Sequence, residues 1–284
     1  MRIFFSEYQI DYATYTFGYA VYCVQEHVNE APSIYARGFL PYSGDISLPH
    51  NIFYMARSVR VDLQAFRDSS ENRRIDRKAQ PLGIRMTIAE RADVDIENPA
   101  FVAFCTQYAE TRFSGGSMDA QRLRYMLTRS SASHILTFST ADTILGYVVA
   151  CMTPEVLHYW YAFFDVTYLR SHCLGKWMMW RTIGWAKEQG LRYVYLGTCY
   201  GRKALYKVRD HRGCEFFDGA GWNRDVEYLK YLCRRDDASG DGSDASRDGR
   251  AGTADAFKSP DSEERERFRR FLTEDRRESY HASD

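Results

Sequence analysis

Four polar side chains flank two strand-like runs of this sequence and have the types needed for acyl chemistry. Asp165 closes the aromatic run LHYWYAFFD, and Tyr200, Tyr206 and Lys207 follow the run YVYLG. A carboxylate flanked by Phe163, Phe164 and Tyr168 could be partly desolvated and so serve as a base for an amine. A phenol or an ammonium after the second run can hold a developing oxyanion or a substrate carboxylate. The same residue types also make turns, caps and ordinary rim positions. Which reading holds depends on how the surrounding elements place them.

Those elements are legible from pattern. Residues 157–164 read as a strand, a turn follows to Gly175, a helical segment is closed by Gly190, and YVYLG (193–197) reads as a second strand. A strand, helix, strand unit favours two parallel strands joined by a crossover helix, with the site where the strands end, after Phe164 and after Gly197. Trp177, Trp180, Ile183 and Trp185 recur at helical spacing and read as core. Upstream, RMTIA (85–89) is strand-like, and a helix is expected from Pro99 with Asn98 as its cap and Phe101, Phe104, Cys105 and Tyr108 on one face. SGGSMD (114–119) leads into a second helix, DAQRLRYMLTRS. HILTFST and TILGYVVACMT then read as strands joined by a tight turn at Ala141 and Asp142, with 157–164 as a third antiparallel neighbour. A short helix and a last strand are expected in 201–223. The fold class is mixed α+β: a central, mostly antiparallel sheet flanked by helices.

Composition sets the outer limits. With 284 residues, 45% hydrophobic and 15% aromatic, the chain can bury a large core. Its longest apolar runs are interrupted well before the roughly 20 residues of a membrane span. The N-terminus carries Glu7 and Asp11 and many tyrosines, unlike a secretion leader, so a cytoplasmic protein is expected. Seven scattered cysteines without a CxxC pair read as buried apolar residues, not as a disulfide frame or zinc site, and seven histidines without ligand spacing suggest no metal. There is no P-loop, HExxH, GxSxG or post-strand GxGxxG.

Three regions are expected: 1–80, irregular, with strand-like pieces at 17–24 and 51–59; 81–235; and a tail, 236–284, too poor in apolar residues to fold, with a charged helix at 259–275. The tail holds 14 acids and 9 bases against 24 and 29 before it, which leaves the folded part mildly basic. Arg67, Arg73, Arg74, Arg77 and Lys78, beside Ser69, Ser70 and Asn72, form either a solvated helix end or a phosphate contact.

The blocks FxxxYxxxRFSGGSMD (104–119), YAFFD (161–165), LGKW (174–177) and GLRYVYLGTCYGRKALYKVR (190–209), in this order, resemble the arginyl-tRNA–protein transferases, whose C-terminal half has an acetyltransferase-like (GNAT) fold. GFLPYSGD, YMARSVRV and FRDSSENRR resemble reduced versions of that family's N-terminal blocks. The resemblance implies transfer of an aminoacyl group, arginine or leucine, from a tRNA to the N-terminal amine of a protein. Its partners would be aminoacyl-tRNA, as co-substrate with no further cofactor, and protein or peptide N-termini. It assigns Asp165, Tyr206 and Lys207 to catalysis. Arg57, Arg60, Tyr108, Arg112, Gly115, Gly116 and Tyr200 would bind substrate, and Arg73, Arg74, Arg77 and Lys78 the tRNA. The chain departs from the family in lacking its clustered N-terminal cysteines, with YMARS where a pair would stand, and in having Phe113 where a histidine is usual. Two other readings use the same residues: an acetyl-CoA-dependent GNAT N-acyltransferase, for which the turn RSHCLGK offers the single glycine Gly175 with Arg170 and Lys176, and a non-catalytic binder of peptide N-termini.

Overall fold

A computed structural model describes residues 1–6, 20–43, 51–112, 118–129 and 131–240. The N-terminal part forms β1 (Arg2–Ser6), β2 (Ala20–Val24), helix α1 (Ala31–Ala36), β3 (Phe39–Pro41) and β4 (Ile52–Met55), and the strands make an antiparallel sheet in the order β1-β2-β4-β3. Pro32 starts α1, where its missing N–H costs nothing, and the helix buries Ile34 and Tyr35. The run expected as one strand over 51–59 divides. After β4, Ala56 and Arg57 carry the chain across to β5 (Ser58–Asp62), which lies inside a second sheet.

That second sheet has eight strands. Helix α2 (Ser70–Ala79), capped by Ser69, leads to β6 (Arg85–Glu90), and the helix expected after Asn98 is α3 (Pro99–Arg112), whose Ala100 N–H donates to the Asn98 side chain at 2.9 Å. Asp119 caps α4 (Ala120–Leu127) by accepting from Arg122 N–H at 2.7 Å. There follow β7 (His134–Ser139), β8 (Ile144–Met152), β9 (Val156–Phe164), α5 (Tyr168–Ser171), α6 (Leu174–Glu188) and β10 (Tyr193–Thr198). The chain continues with α7 (Tyr206–Arg209), β11 (Cys214–Phe217), β12 (Trp222–Asn223) and α8 (Val226–Gly240). The strand order is β12-β11-β5-β10-β9-β8-β7-β6. Every pairing is antiparallel except β9 with β10, the pair joined by the crossover through α6.

Helix α6 is core nearly all round. It buries Trp177, Met178, Trp180 and Ile183 with Val148, Leu157 and Val194 of the sheet, each large side chain contributing about 1.5–3 kcal/mol. A buried indole needs a partner for its N–H, and α2 with its lead-in supplies both: Trp177 Nε1 donates to Asp76 at 3.0 Å and Trp180 Nε1 to Asp68 at 2.7 Å. On the other face a second core packs α1 and the N-terminal sheet on Cys151, Val156 and Tyr195, and a third packs α3 and α4 on Ile135, Val149, Tyr161 and Phe163.

Two expected boundaries fall inside structure. A division at residue 80 would detach β5 from between β10 and β11 and α2 from α6. The start of a tail at Asp236 lies within α8, because Asp236 is held by a buried arginine. The segment 241–284, with the helix expected at 259–275, lies outside the described residues. Among the described residues no helix is long and apolar enough to cross a membrane.

Candidate active site

Strands β9 and β10 pair for only three residues, Tyr193 with Val156, Val194 with Leu157 and Tyr195 with His158. Both then run on unpaired with each other. β10 takes a register shift between Tyr195 and Gly197 against β5, and Gly197 adopts φ +82°, a left-handed value that a residue with a Cβ rarely takes. The strands therefore splay, and a pocket opens between Trp160 and Tyr161 on one side and Leu196, Gly197 and Thr198 on the other. Leu40, Pro41 and Tyr54 of the N-terminal sheet close it, and His158 and Lys207 add an imidazole and an amine to its lining; its free volume is about 50 Å³. This is the place the strand, helix, strand pattern pointed to, at the carboxyl end of the parallel pair.

Lys207 is the expected site residue that the fold delivers to this pocket. It is 4% exposed, and its Nζ donates to the Thr198 carbonyl at 2.7 Å. Burial disfavours the ammonium and pulls its pKa down to about 8, against a smaller opposing pull from Cys199. The neighbouring Tyr206 phenol is pushed up by burial and then by Tyr108, so it stays protonated and can act as a donor. Tyr108 reaches in from α3, its ring 4.9 Å from that of Phe164 and 5.9 Å from that of Phe163; Arg112, one turn on, opposes the rise that burial imposes on its phenol. Lys207, Tyr206, Tyr108 and Arg112 thus come together around the end of β9.

Other expected residues do structural work. The Asp165 carboxylate closes a turn, Oδ1 accepting from Thr167 N–H at 2.9 Å and from the Thr167 hydroxyl at 2.6 Å, and it does not line the pocket. Arg57 is 2% exposed and clamps α8 to the end of β10. Its Nη1 donates to Asp236 at 2.7 Å and to the Cys199 carbonyl at 3.3 Å, and Nη2 donates to Asp236 at 3.2 Å. Tyr200 belongs to the same clamp, its hydroxyl accepting from the Arg57 N–H at 2.9 Å and its ring 4.8 Å beneath the guanidinium. Arg60 lies between the rings of Tyr193 at 3.8 Å and Trp222 at 3.9 Å and donates to Glu215 at 2.8 Å. Buried arginines in place of surface ones are the common cause: each needs a carboxylate and a ring, and the fold provides them. Gly115 and Gly116 lie outside the described residues. Arg73, Arg74, Arg77 and Lys78 lie on α2, where Arg74 makes a two-pronged bond to Glu71 at 2.6 and 2.7 Å and Lys78 reaches the Ser171 carbonyl at 3.5 Å.

Sequence reasoning missed His158 and its partner. His158 is 1% exposed; its Nδ1 lies 3.0 Å from the hydroxyl of Tyr35, a residue fully buried on α1, while its Nε2 has no hydrogen-bond partner among the described residues. Burial, reinforced by Lys207, drives its pKa down to about 3, so the imidazole is neutral. A histidine within an apolar, largely aromatic strand was the available signal, but its partner lies 123 residues away in sequence.

Gly175, read as the one glycine of a phosphate-binding turn, has a packing reason: a Cβ there would lie 2.6 Å from the Phe164 ring. All seven cysteines are free thiols, six buried and Cys173 half-buried. No cluster of metal-ligating side chains occurs among the described residues.

The fold is mixed α+β with a mostly antiparallel sheet, and residues 69–208, which include β9, α6 and β10, match the family model described as acetyltransferase (GNAT) domain. More particularly, the chain is similar to proteins named aspartate/glutamate leucyltransferase. One, from Stenotrophomonas maltophilia (strain R551-3), is 25% identical over 177 residues, which span 58% of this chain and 68% of that protein. Another, from Ruegeria pomeroyi, is 29% identical over 173 residues, 58% of this chain and 60% of that protein. Among solved structures, L-PGS from Bacillus licheniformis aligns over 77% of this chain and 73% of its own at 13% identity, with a TM-score of 0.41.

Proposed function

We propose that this chain is an aminoacyl-tRNA-dependent protein transferase that moves leucine from a tRNA to the N-terminal amine of a protein beginning with Asp or Glu. The observation that carries the reading is the pocket in the splay: apolar walls from Leu40, Pro41, Leu196 and the aromatic rings, with Lys207 as the charged side chain among the described residues of its lining. An aliphatic side chain fits such walls, whereas an arginine guanidinium would be desolvated beside the like charge of Lys207. Relatives named for leucine transfer to aspartate and glutamate support the same choice.

The reaction is aminolysis of an ester. The free α-amine, whose unperturbed pKa near 7.7–8.0 leaves part of it neutral at physiological pH, attacks the ester carbonyl carbon. The carbonyl electrons move onto oxygen, and the Lys207 ammonium, fixed by Thr198, balances that charge in a dry pocket where the interaction is strong. The carbon–oxygen bond to the ribose then breaks, and the ribose oxygen leaves with the proton the amine gives up, passed across the Tyr206 hydroxyl. Asp165, occupied in its turn, takes no part.

Purified protein incubated with leucyl-tRNA, arginyl-tRNA or acetyl-CoA, and with peptides beginning Asp, Glu, Lys or Arg, provides the test by peptide mass. Leucine added to the Asp and Glu peptides is the expected result. Acetyl addition would replace the donor with acetyl-CoA, and peptide binding without mass change would make the chain a binder.

A further inference from the structure

A buried polar atom with no partner is costly in a folded protein, and a ligand that supplies the missing bond removes that cost. His158 Nε2 is such an atom. The ring lies on β9 at the last position paired with β10, where the splay begins, and it lines the pocket with Lys207. The protein fixes this ring from several sides: Tyr35 bonds Nδ1 at 3.0 Å and meets the ring edge to face at 5.2 Å, and Trp160 stacks near it at 6.4 Å. Tyr35 is itself held, its ring 5.0 Å from that of Tyr195 and 5.9 Å from that of Phe53. An aromatic cage of this kind fixes the direction of the unpartnered nitrogen as well as its position.

The tautomer follows from the partner. The Tyr35 phenol is kept protonated by burial, and an O–H proton is a better donor to an imidazole nitrogen than an imidazole N–H is to a phenol. Tyr35 therefore donates to Nδ1, and the neutral ring, which lines the pocket, carries its proton on Nε2, the nitrogen without a partner among the described residues. Two donors then share that lining, the Nε2–H of His158 and the ammonium of Lys207. That pair complements an oxygen that gains negative charge during reaction.

We infer that His158 is a catalytic residue, its Nε2–H binding the ester carbonyl oxygen of the aminoacyl donor and the oxyanion that forms from it, and that Tyr35 is the positioning residue that holds it there. The inference rests on the aminoacyl-transfer reading of the pocket. In that step the amine nitrogen bonds to the carbonyl carbon, the π electrons pass to the oxygen held by His158 and Lys207, and they return as the ribose oxygen departs with the proton given up by nitrogen. The contact strengthens as charge develops, so it acts on kcat and leaves KM nearly unchanged.

The test compares wild type with His158→Phe, His158→Gln and Tyr35→Phe in the leucyl-transfer assay, alongside thermal melts and long-range proton–nitrogen NMR of the histidine side chains. Wild type should show a neutral His158 protonated on Nε2. His158→Phe should lose roughly 10²-fold in kcat, the loss typical of one oxyanion donor. His158→Gln, which keeps an N–H donor at a similar reach, should recover part of that loss. Tyr35→Phe should give an intermediate kcat and an NMR spectrum with both tautomers, a change that a purely structural role would not produce. Full kcat in a folded His158→Phe, a loss confined to KM, or an Nε2 without its proton would each overturn the inference; the NMR result holds even if a variant does not fold. A wild type that transfers from no donor would fail before any variant is made, and the functional reading would fall together with this one.

Discussion

An ammonium buried among leucine, proline and aromatic side chains is disfavoured relative to its neutral form, and that makes Lys207 visible to a stability measurement. Its folded pKa, about 8, lies below the unfolded value, so the penalty is in force below pH 8 and is relieved as pH rises from about 8 towards 10.5, where the unfolded chain still holds a proton the folded one has shed. A downward shift of that size corresponds to roughly 3 kcal/mol, and loss of the bond to Thr198 offsets about 1 of it. Lys207→Met should therefore be more stable than wild type at pH 7 by about 2 kcal/mol and lose that advantage by pH 10; parallel stability curves in urea would show that the charge is not confined as described. Lys207 was legible because it follows a strand at the site end of a parallel pair. Asp165 stood in an equally suggestive place, but the Thr167 hydroxyl two residues on captures its carboxylate, a local competition that residue type alone does not resolve. His158 was hidden for a different reason, since only the docking of α1 on the sheet gives it Tyr35.

Helices and strands that carried a strong period or a cap were legible as elements: α3 behind Asn98, α4 behind Asp119, the β7 and β8 pair across its tight turn, and the tryptophan face of α6. The division of 51–59 into β4 and β5 was not, because an alternating apolar run looks the same whether it stays in one sheet or crosses to another. The crossing point is fixed by tertiary contacts. At that point Arg57 is buried, and α8 exists as far as Gly240 in part because Asp236 answers it with two hydrogen bonds and also accepts from the Gly201 N–H at 2.9 Å. Breaking one partner of a buried pair leaves the other charge uncompensated, at about 3–5 kcal/mol. Asp236→Ala should destabilise the protein by about that amount, whereas replacing both with a well-packed Arg57→Met, Asp236→Leu pair should restore much of it. A cost below about 1 kcal/mol for the single change in chemical denaturation would mean that α8 is not fastened here.

At the scale of the whole molecule, the pocket belongs to neither half of the sequence: β9, β10 and α7 provide its base, and the N-terminal sheet provides Leu40, Pro41 and Tyr54. The same holds for the proposed tRNA surface. Helix α2, from the first 80 residues, is linked to α7 through Lys176, which contacts Glu71 at 3.6 Å and Asp210 at 2.6 Å, and Asp210 lies three residues after Lys207. Of the four cations expected to hold the tRNA, Arg74 is occupied by Glu71, while Arg73, Arg77 and Lys78 are exposed, with Lys78 against the segment that carries Arg170. If the donor's phosphates contact these cations, neutralising them releases counter-ions, so affinity should fall steeply with salt. Reversing Arg73 and Arg77 together to Glu should weaken tRNA binding at low salt and reduce the slope of log affinity against log salt by about 0.7–0.9 for each phosphate no longer neutralised. The melting temperature should change little, because both side chains lie in solvent. Reversal of Arg74 should cost less affinity than Arg77, since its guanidinium is already bonded to a carboxylate. A double reversal that leaves both affinity and slope unchanged would move the tRNA to another face and leave the pocket, which depends on none of these side chains, as the fixed point from which to look for it.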